Sequence, residues 1–192
     1  LLTATAVLHV QQAHFFTTDS FLAFFTTLAL YLAALAARRG GTALFAGLGV
    51  ACGVAVATKI NAVLLGPVVG LAVLLRWMRE REASEGSAGR HSTAALRLAV
   101  ASLAAFVAFR VCQPYAFAGP SFFDVAPNPK WLSDLEAWRR IGSGEVDYPP
   151  SHQWTNRPSY LFPLQHMVLW GLGAPLGVTV WLGVGLALYE GF

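Results

Sequence analysis

The chain has 192 residues, of which 56% are hydrophobic and only 12% are charged, and its net charge is +3. Soluble domains carry about 25% charged residues, so this composition argues against an ordinary soluble enzyme. The charge balance is also too mild to indicate a nucleic-acid partner. Because about 17–25 apolar residues cross a ~30 Å hydrocarbon core, we expect an integral, multi-pass membrane protein. Its charge-free runs are 20–37, 40–58, 60–75 and 158–189.

The expected fold is all-α, a polytopic bundle of transmembrane helices within one domain covering residues 1–192. The first span looks truncated, since the chain starts at Leu1 without Met inside an apolar stretch, and we interpret the chain as a fragment. One helix over 42–75 would be about 51 Å long, so a break is expected near Lys59. The predicted spans are about 1–10, 20–37, 42–58, 60–75, 93–111 and 161–189.

Four local features refine these spans. Asp19 or Ser20 is expected to cap the span 20–37, and Arg97 is expected to reach the headgroups by snorkelling. The last span is long enough to tilt or to break at Gly173. Pairs of glycines at four-residue spacing predict close helix packing. These pairs are Gly49 and Gly53, Gly66 and Gly70, and Gly173 and Gly177.

The arginine distribution predicts the orientation in the membrane. The turn 38–41 carries two arginines, and the loop 76–92 carries four arginines against three glutamates. The positive-inside rule therefore makes both segments cytoplasmic. The segment 112–160 then forms one long extracytoplasmic loop, with Asp19 and Lys59 on the same face. Within that loop, residues 129–141 are predicted to form an amphipathic helix whose Trp131, Leu135 and Trp138 face is buried, in lipid or against the domain.

Charged and polar residues at the span ends are the candidates for chemistry. Asp19 is interpreted as a general base or a metal ligand, and the alternative is a helix cap. His14 could share its cavity or serve as an interfacial anchor. Lys59 is interpreted as a cation for a phosphate, and the alternative is a turn lysine that reaches the headgroups.

The proline-rich segment 148–160 is expected to be extended. Its aromatic, amide and arginine side chains could stack on a sugar and hydrogen-bond to it, or they could belong to a structural loop. The residues assigned to this substrate-binding role are His152, Trp154, Arg157 and Tyr160.

The order of these motifs resembles a known family. An aromatic-rich segment over 14–25 contains Asp19 at the start of a span, and a glycine-rich span over 46–59 ends in Thr58 and Lys59. This pattern resembles the GT-C-fold glycosyltransferases of the protein-mannosyltransferase and aminoarabinose-transferase type, best over residues 9–76.

The resemblance implies a transferase that moves a sugar from a polyprenyl-phosphate donor at the outer membrane surface. By position, Asp19 matches an acidic residue on the catalytic face, and Lys59 matches a lysine near the lipid phosphate. The expected partners are the lipid-linked donor and membrane lipids, with the acceptor unassigned. No cofactor is certain, and a divalent metal stays open. The family's principal catalytic Asp is expected upstream of Leu1, so the chain as given would hold only part of the site.

Two other interpretations remain open at this point. A transporter or channel-type subunit would also have broken helices and buried ionisable residues. A non-catalytic assembly subunit is the third interpretation. The tryptophan-rich loop favours the transferase, and no inverted repeat supports the transporter. The Arg, Ala, Leu and Gly bias is typical of a GC-rich genome, so we expect a prokaryotic cell membrane.

Overall fold

The computed structural model describes residues 6–15, 17–83, 90–154 and 156–190. Residues 1–5 of the first predicted span and 84–89 of the predicted cytoplasmic loop lie outside the described residues. The described residues contain helices and one isolated bridge between Phe117 and Pro127, which confirms the all-α prediction. The α-helices are α1 (Val7–His14), α2 (Thr18–Arg39), α3 (Thr42–Thr58), α4 (Gly66–Ala83), α5 (Arg90–Cys112), α6 (Pro129–Ser143), α7 (Leu161–His166) and α8 (Ala174–Glu190).

Three helical stretches among the described residues are long and apolar enough to cross a membrane. They are Thr18–Arg39, Ile60–Arg81 and His91–Cys112, and each has 22 residues. Two shorter apolar helices, Thr42–Thr58 and Ala174–Glu190, have 17 residues each. At 1.5 Å per residue these lengths are roughly 33 Å and 25 Å, against a hydrocarbon core of ~30 Å.

The predicted break near Lys59 is present, and of the two alternatives for the last span the structure has the break. Lys59 is extended between α3 and a 3-10 helix over Ile60–Leu65. The run predicted as 161–189 divides into α7, a π-helical turn over Met167–Gly171, and α8. Gly173 separates the last two with φ 82°, a conformation that glycine adopts without a steric cost.

The chain divides into two compact units. We call Leu1–Ser20 with Arg139–Phe192 the terminal unit, and Phe21–Trp138 the central unit. In the terminal unit, α1 packs against the π-helical turn, and Gly177 of α8 lies against the backbone of Val168. The central unit holds the main apolar core, in which the side chains of Phe45 and Leu48 are fully buried.

The core of the central unit is built on the parallel contact between α3 and α5. A Cβ placed on Gly49 would lie 2.1 Å from the carbonyl oxygen of Ala101, and one on Gly53 would lie 2.2 Å from that of Ala105. The two helices therefore approach so closely that only glycine fits at these positions of α3. The packing prediction for this glycine pair is confirmed.

The other two glycine pairs behave differently. Among the described residues, no atom lies within 4 Å of a Cβ built on Gly66 or Gly70, so the packing prediction is wrong for that pair. Gly177 does pack closely, since its Cβ would lie 2.5 Å from the carbonyl oxygen of Val168. Gly173 serves a turn instead, because its backbone has a positive φ.

A buried ion pair joins α4 and α5 at one end of the central unit. Arg97 is 7% exposed and donates to both carboxylate oxygens of Glu80, at 2.9 and 2.8 Å. Arg76 bonds the same carboxylate at 2.7 Å and donates to the backbone oxygen of Arg38 at 3.0 Å. The snorkelling prediction for Arg97 is therefore wrong, because a carboxylate within the bundle satisfies this guanidinium.

These contacts gather the basic segments of the central unit at one end. The turn after α2 and the C-terminal part of α4 meet there through Arg76. Because α3 runs parallel to α5, Lys59 and the C-terminal end of α5 lie at the opposite end. Which end faces the cytoplasm stays a prediction from the arginine distribution.

Candidate functional site

Asp19 lies in the first turn of α2 and is exposed. The helix begins at Thr18, so neither Asp19 nor Ser20 is its cap, and that prediction is wrong. Thr17 precedes the helix, and its hydroxyl donates to the side-chain oxygen of Gln12 at 2.6 Å. Asp19 instead occupies the turn where the helix dipole favours a negative charge.

His14 is the last residue of α1 and is also exposed. Its ring meets that of Phe15 edge-on, with 5.4 Å between the centroids. Ser20, one residue after Asp19, has a buried hydroxyl oxygen without a hydrogen-bond partner among the described residues. Two titratable side chains therefore flank the short connection between α1 and α2.

Lys59 is positioned by the break between α3 and the following 3-10 helix. Its backbone is extended, with φ −148° and ψ 125°. The backbone N–H of Lys59 donates to Ala55, and its carbonyl accepts from Ala62, each at 2.9 Å. The break thus leaves no backbone group of this residue unsatisfied, and the lysine is exposed.

An apolar cavity of about 310 Å³ is lined by residues on both sides of Lys59 in the sequence, among them Val56 and Ala62. It lies between α3, residues 62–69 and α5, and Phe106 and Phe109 form part of its wall. Its lining is apolar apart from the hydroxyl of Ser102 and the thiol of Cys52. The cavity can accommodate a hydrocarbon chain, and Lys59 lies in the sequence between two of the segments that line it.

The segment predicted as extended over 148–160 contains a 3-10 helix over Pro149–Trp154, so that part of the prediction is wrong. His152 bonds the carboxylate of Asp147 at 2.6 Å. The guanidinium of Arg157 lies over the ring of Phe162, 5.1 Å from its centroid. Local partners thus hold both side chains.

The other two candidates of this segment are Tyr160 and Trp154. Tyr160 is 90% exposed and directly precedes α7. Trp154 ends the 3-10 helix, and its side chain lies outside the described residues. In the described ranges, no group of three or more His, Cys, Asp or Glu side chains is close enough to hold a metal ion.

A cluster of Tyr115, Lys130 and Asp134 was not among the sequence candidates. Asp134 accepts from Lys130 Nζ at 2.9 Å and from the Tyr115 hydroxyl at 3.0 Å. The hydrogen bond from Lys130, followed by that from Tyr115, holds the pKa of Asp134 below its usual range. Asp134 in turn raises the pKa of Lys130. In the sequence, the four-residue spacing of Lys130 and Asp134 on a predicted helix is the pattern that could have indicated this ion pair.

The predicted amphipathic helix is present as α6, which confirms the helix itself. Trp131 packs against Phe109, with 6.2 Å between the ring centroids. Trp138 on the same face is 62% exposed, so burial against the protein is wrong for this residue. Contact of Trp138 with lipid stays a prediction.

Together these features define a polytopic helical membrane protein with an exposed lysine at a helix break, between two segments that line an apolar cavity. The family model of dolichyl-phosphate-mannose-protein mannosyltransferases matches residues 1–113, which is more than half of the chain. The chain belongs to this family. Its membership supports a membrane glycosyltransferase that takes its sugar from a lipid-linked donor, rather than a transporter or channel subunit. No curated protein and no solved structure matches the chain significantly.

Proposed function

We propose that the protein transfers a hexose or similar sugar from a polyprenyl-phosphate donor to an acceptor at the outer face of the membrane. The observation that carries this proposal is the position of Lys59, exposed at a helix break between two segments that line an apolar cavity. Membership of the mannosyltransferase family supplies the lipid-linked donor.

The chemistry requires few protein groups, because the donor carries its own leaving group. The acceptor oxygen forms a bond to the anomeric carbon, and the bond from that carbon to the phosphate oxygen breaks. The phosphate leaves with the electron pair as polyprenyl phosphate, and the acceptor proton passes to a carboxylate. A nearby cation stabilises the negative charge that develops on the departing phosphate.

Lys59 is the residue proposed to bind that phosphate. A lysine ammonium is a compact point charge that suits a phosphate at the membrane surface. The adjoining cavity of about 310 Å³ is apolar, as the first part of an isoprenoid chain requires. A single lipid would then be recognised through its phosphate and through its chain.

Asp19 is the proposed general base. His14, at the end of α1 before the connection to α2, is proposed to belong to the same catalytic site. The carboxylate of Asp19 is exposed in the first turn of α2, where it can take the proton of an acceptor hydroxyl. His152, Trp154, Arg157 and Tyr160 are proposed to contact the sugar or the acceptor. Stacking of aromatic rings on a sugar and charge-assisted hydrogen bonds are the interactions that these side chains offer.

Asp19→Asn and Lys59→Ala in the full-length protein test the two main roles, with sugar transfer measured in membranes. Removal of the proton acceptor should lower the rate about 10²–10⁴-fold. Lys59→Ala should raise KM for the lipid-linked donor more than KM for the acceptor. Asp134→Asn and Lys130→Ala are the matched controls, because they change the same residue types in α6.

Three results would overturn these assignments. Full activity of Asp19→Asn would return this residue to the structural role of a charge in the first turn of a helix. Equal effects of Lys59→Ala and Lys130→Ala on the donor KM would show that Lys59 acts only through the general surface charge. Loss of transfer in the controls but not in the test variants would show that the residues of α6, and not Asp19 and Lys59, form the site.

A further inference from the structure

The C-terminal end of α5 carries a buried arginine that the proposed chemistry does not use. Arg110 is 4% exposed and lies two residues before the end of the helix at Cys112. Its guanidinium lies over the ring of Phe117, 4.6 Å from the centroid. A buried guanidinium must be satisfied by hydrogen bonds, and here the acceptors are backbone oxygens of one loop.

The loop held by this guanidinium covers residues 117–127, and we call it the Arg110 loop. Nε of Arg110 donates to the carbonyl oxygen of Phe122 at 3.2 Å. Nη2 donates to the carbonyl oxygens of Ser121 and Gly119. The planar fork of arginine can bond several acceptors in one plane, which a lysine cannot do.

The base of the Arg110 loop is closed by backbone hydrogen bonds. Ala118 donates to Ala126, and Asn128 donates to Ala116, each at 2.9 Å. The loop is therefore fixed at its base by the backbone and at its tip by a side chain from the last turn of α5. This geometry keeps the tip beside the end of the helix instead of beyond it.

The tip presents apolar side chains on its outside. Phe122 is 49% and Phe123 85% exposed, and their rings meet edge-on at 5.7 Å. Val125 is also exposed. Exposed aromatic residues that lie together mark a contact with a partner or with a membrane.

The position of α5 identifies the occupant of this surface. The stretch His91–Cys112 is long and apolar enough to cross a membrane. Its roughly 33 Å length matches a ~30 Å core, so the last turn lies near the boundary between hydrocarbon and headgroups. Arg110 holds the tip at that turn, where the wholly apolar rings of Phe122 and Phe123 can enter the hydrocarbon without burying a polar group.

We propose that the Arg110 loop is a membrane-contacting element, in which Arg110 holds Phe122 and Phe123 in the lipid at the boundary of the hydrocarbon core. The partner is the bilayer surface itself. This inference rests on the contacts of the central unit and does not depend on the assignment of the transferase site.

A spin label at the tip tests the proposal. The variant Phe123→Cys, with Cys52→Ala and Cys112→Ser, carries one nitroxide and is reconstituted into vesicles of phosphatidylcholine and phosphatidylglycerol. Collisions with oxygen, which concentrates in lipid, are compared with collisions with a water-soluble nickel chelate. Ser133→Cys on the polar side of α6 is the matched control.

We expect oxygen collisions to dominate at position 123 and chelate collisions to dominate at position 133. Dominant chelate collisions at position 123 would overturn the proposal. Shielding of position 123 from both reagents would also overturn it, because a protein surface would then cover the tip.

The role of Arg110 is tested with the same label at position 123. In Arg110→Lys protein that retains its helical circular dichroism, the charge is kept but the three carbonyl contacts are not. We expect the label to gain access to the chelate. An unchanged oxygen preference would show that the loop reaches the lipid without this arginine.

Discussion

The close contact between α3 and α5 allows a sharp test of the packing of the central unit. In Gly49→Ala, the added Cβ would lie 2.1 Å from the carbonyl oxygen of Ala101. Ordinary van der Waals contact begins at 3.4 Å, so the two groups must separate by about 1.3 Å. Because the opposing atom belongs to the backbone, no side-chain rotation can relieve the clash, and a helix must move.

The expected cost follows from two opposing effects. Overpacking of a well-packed contact costs about 1–3 kcal/mol. Replacement of glycine by alanine within a helix returns about 0.5–1 kcal/mol of backbone propensity. Gly49→Ala and Gly53→Ala should therefore be net destabilising. Gly47→Ala on the same helix should be neutral or stabilising, because its Cβ would lie 3.7 Å from Leu32 Cδ1, an ordinary contact.

Equilibrium unfolding in detergent micelles, followed by circular dichroism, measures the difference. We expect Gly49→Ala and Gly53→Ala to be less stable than Gly47→Ala by about 1–3 kcal/mol, where each 1.4 kcal/mol is tenfold in the equilibrium constant. Equal stability of all three variants would refute the reasoning, since it would show that α3 and α5 do not approach at these glycines.

Two further predictions concern the ion pairs of the central unit. Glu80→Gln should destabilise the protein by about 1–3 kcal/mol in the same unfolding measurement, because the buried guanidinium of Arg97 loses a charged acceptor whose own side chain is 21% exposed. A change no larger than that of a surface substitution would contradict this. The lowered pKa of Asp134 means that its contribution to stability is complete above the ordinary carboxyl value of 3.8 and is lost as the pH falls through the lowered pKa. Lys130→Met should raise the titration midpoint of Asp134 in carboxyl NMR, with Tyr115→Phe raising it less; an unchanged midpoint in Lys130→Met would show that Lys130 is not the main cause.

The residues of the candidate site show which structural features a local sequence pattern can predict and which it cannot. The break at Lys59 could be predicted, because 34 residues of uninterrupted helix would exceed the bilayer. The placement of Asp19 inside the first turn, instead of at the cap, depends on where the chain before α2 turns. Thr17, which precedes the helix, donates from its hydroxyl to the side chain of Gln12, and a hydrogen bond between two side chains leaves no signal in hydropathy.

The hydrogen-bond partners of the arginines could not be predicted from hydropathy either. Arg97 at the start of an apolar run is compatible with snorkelling or with an ion pair, and the choice depends on whether α4 brings a carboxylate to the same depth. Glu80 does so across 17 residues of sequence. Arg110, near the end of its apolar run, bonds three carbonyls of a loop that follows it, and the hydropathy of the run does not indicate this.

The sequence by itself determined the membrane class, the helical content, the broken apolar runs and the glycine spacing that allows helices to pack closely. These features follow from hydrophobicity, residue size and helix length, which act within one segment of chain. Only the tertiary structure decided which glycines pack, since Gly66 and Gly70 carry the same pattern without a neighbour among the described residues. Only the tertiary structure paired Arg97 with Glu80 and folded residues 117–127 back onto Arg110, because such contacts depend on how separate helices meet in space.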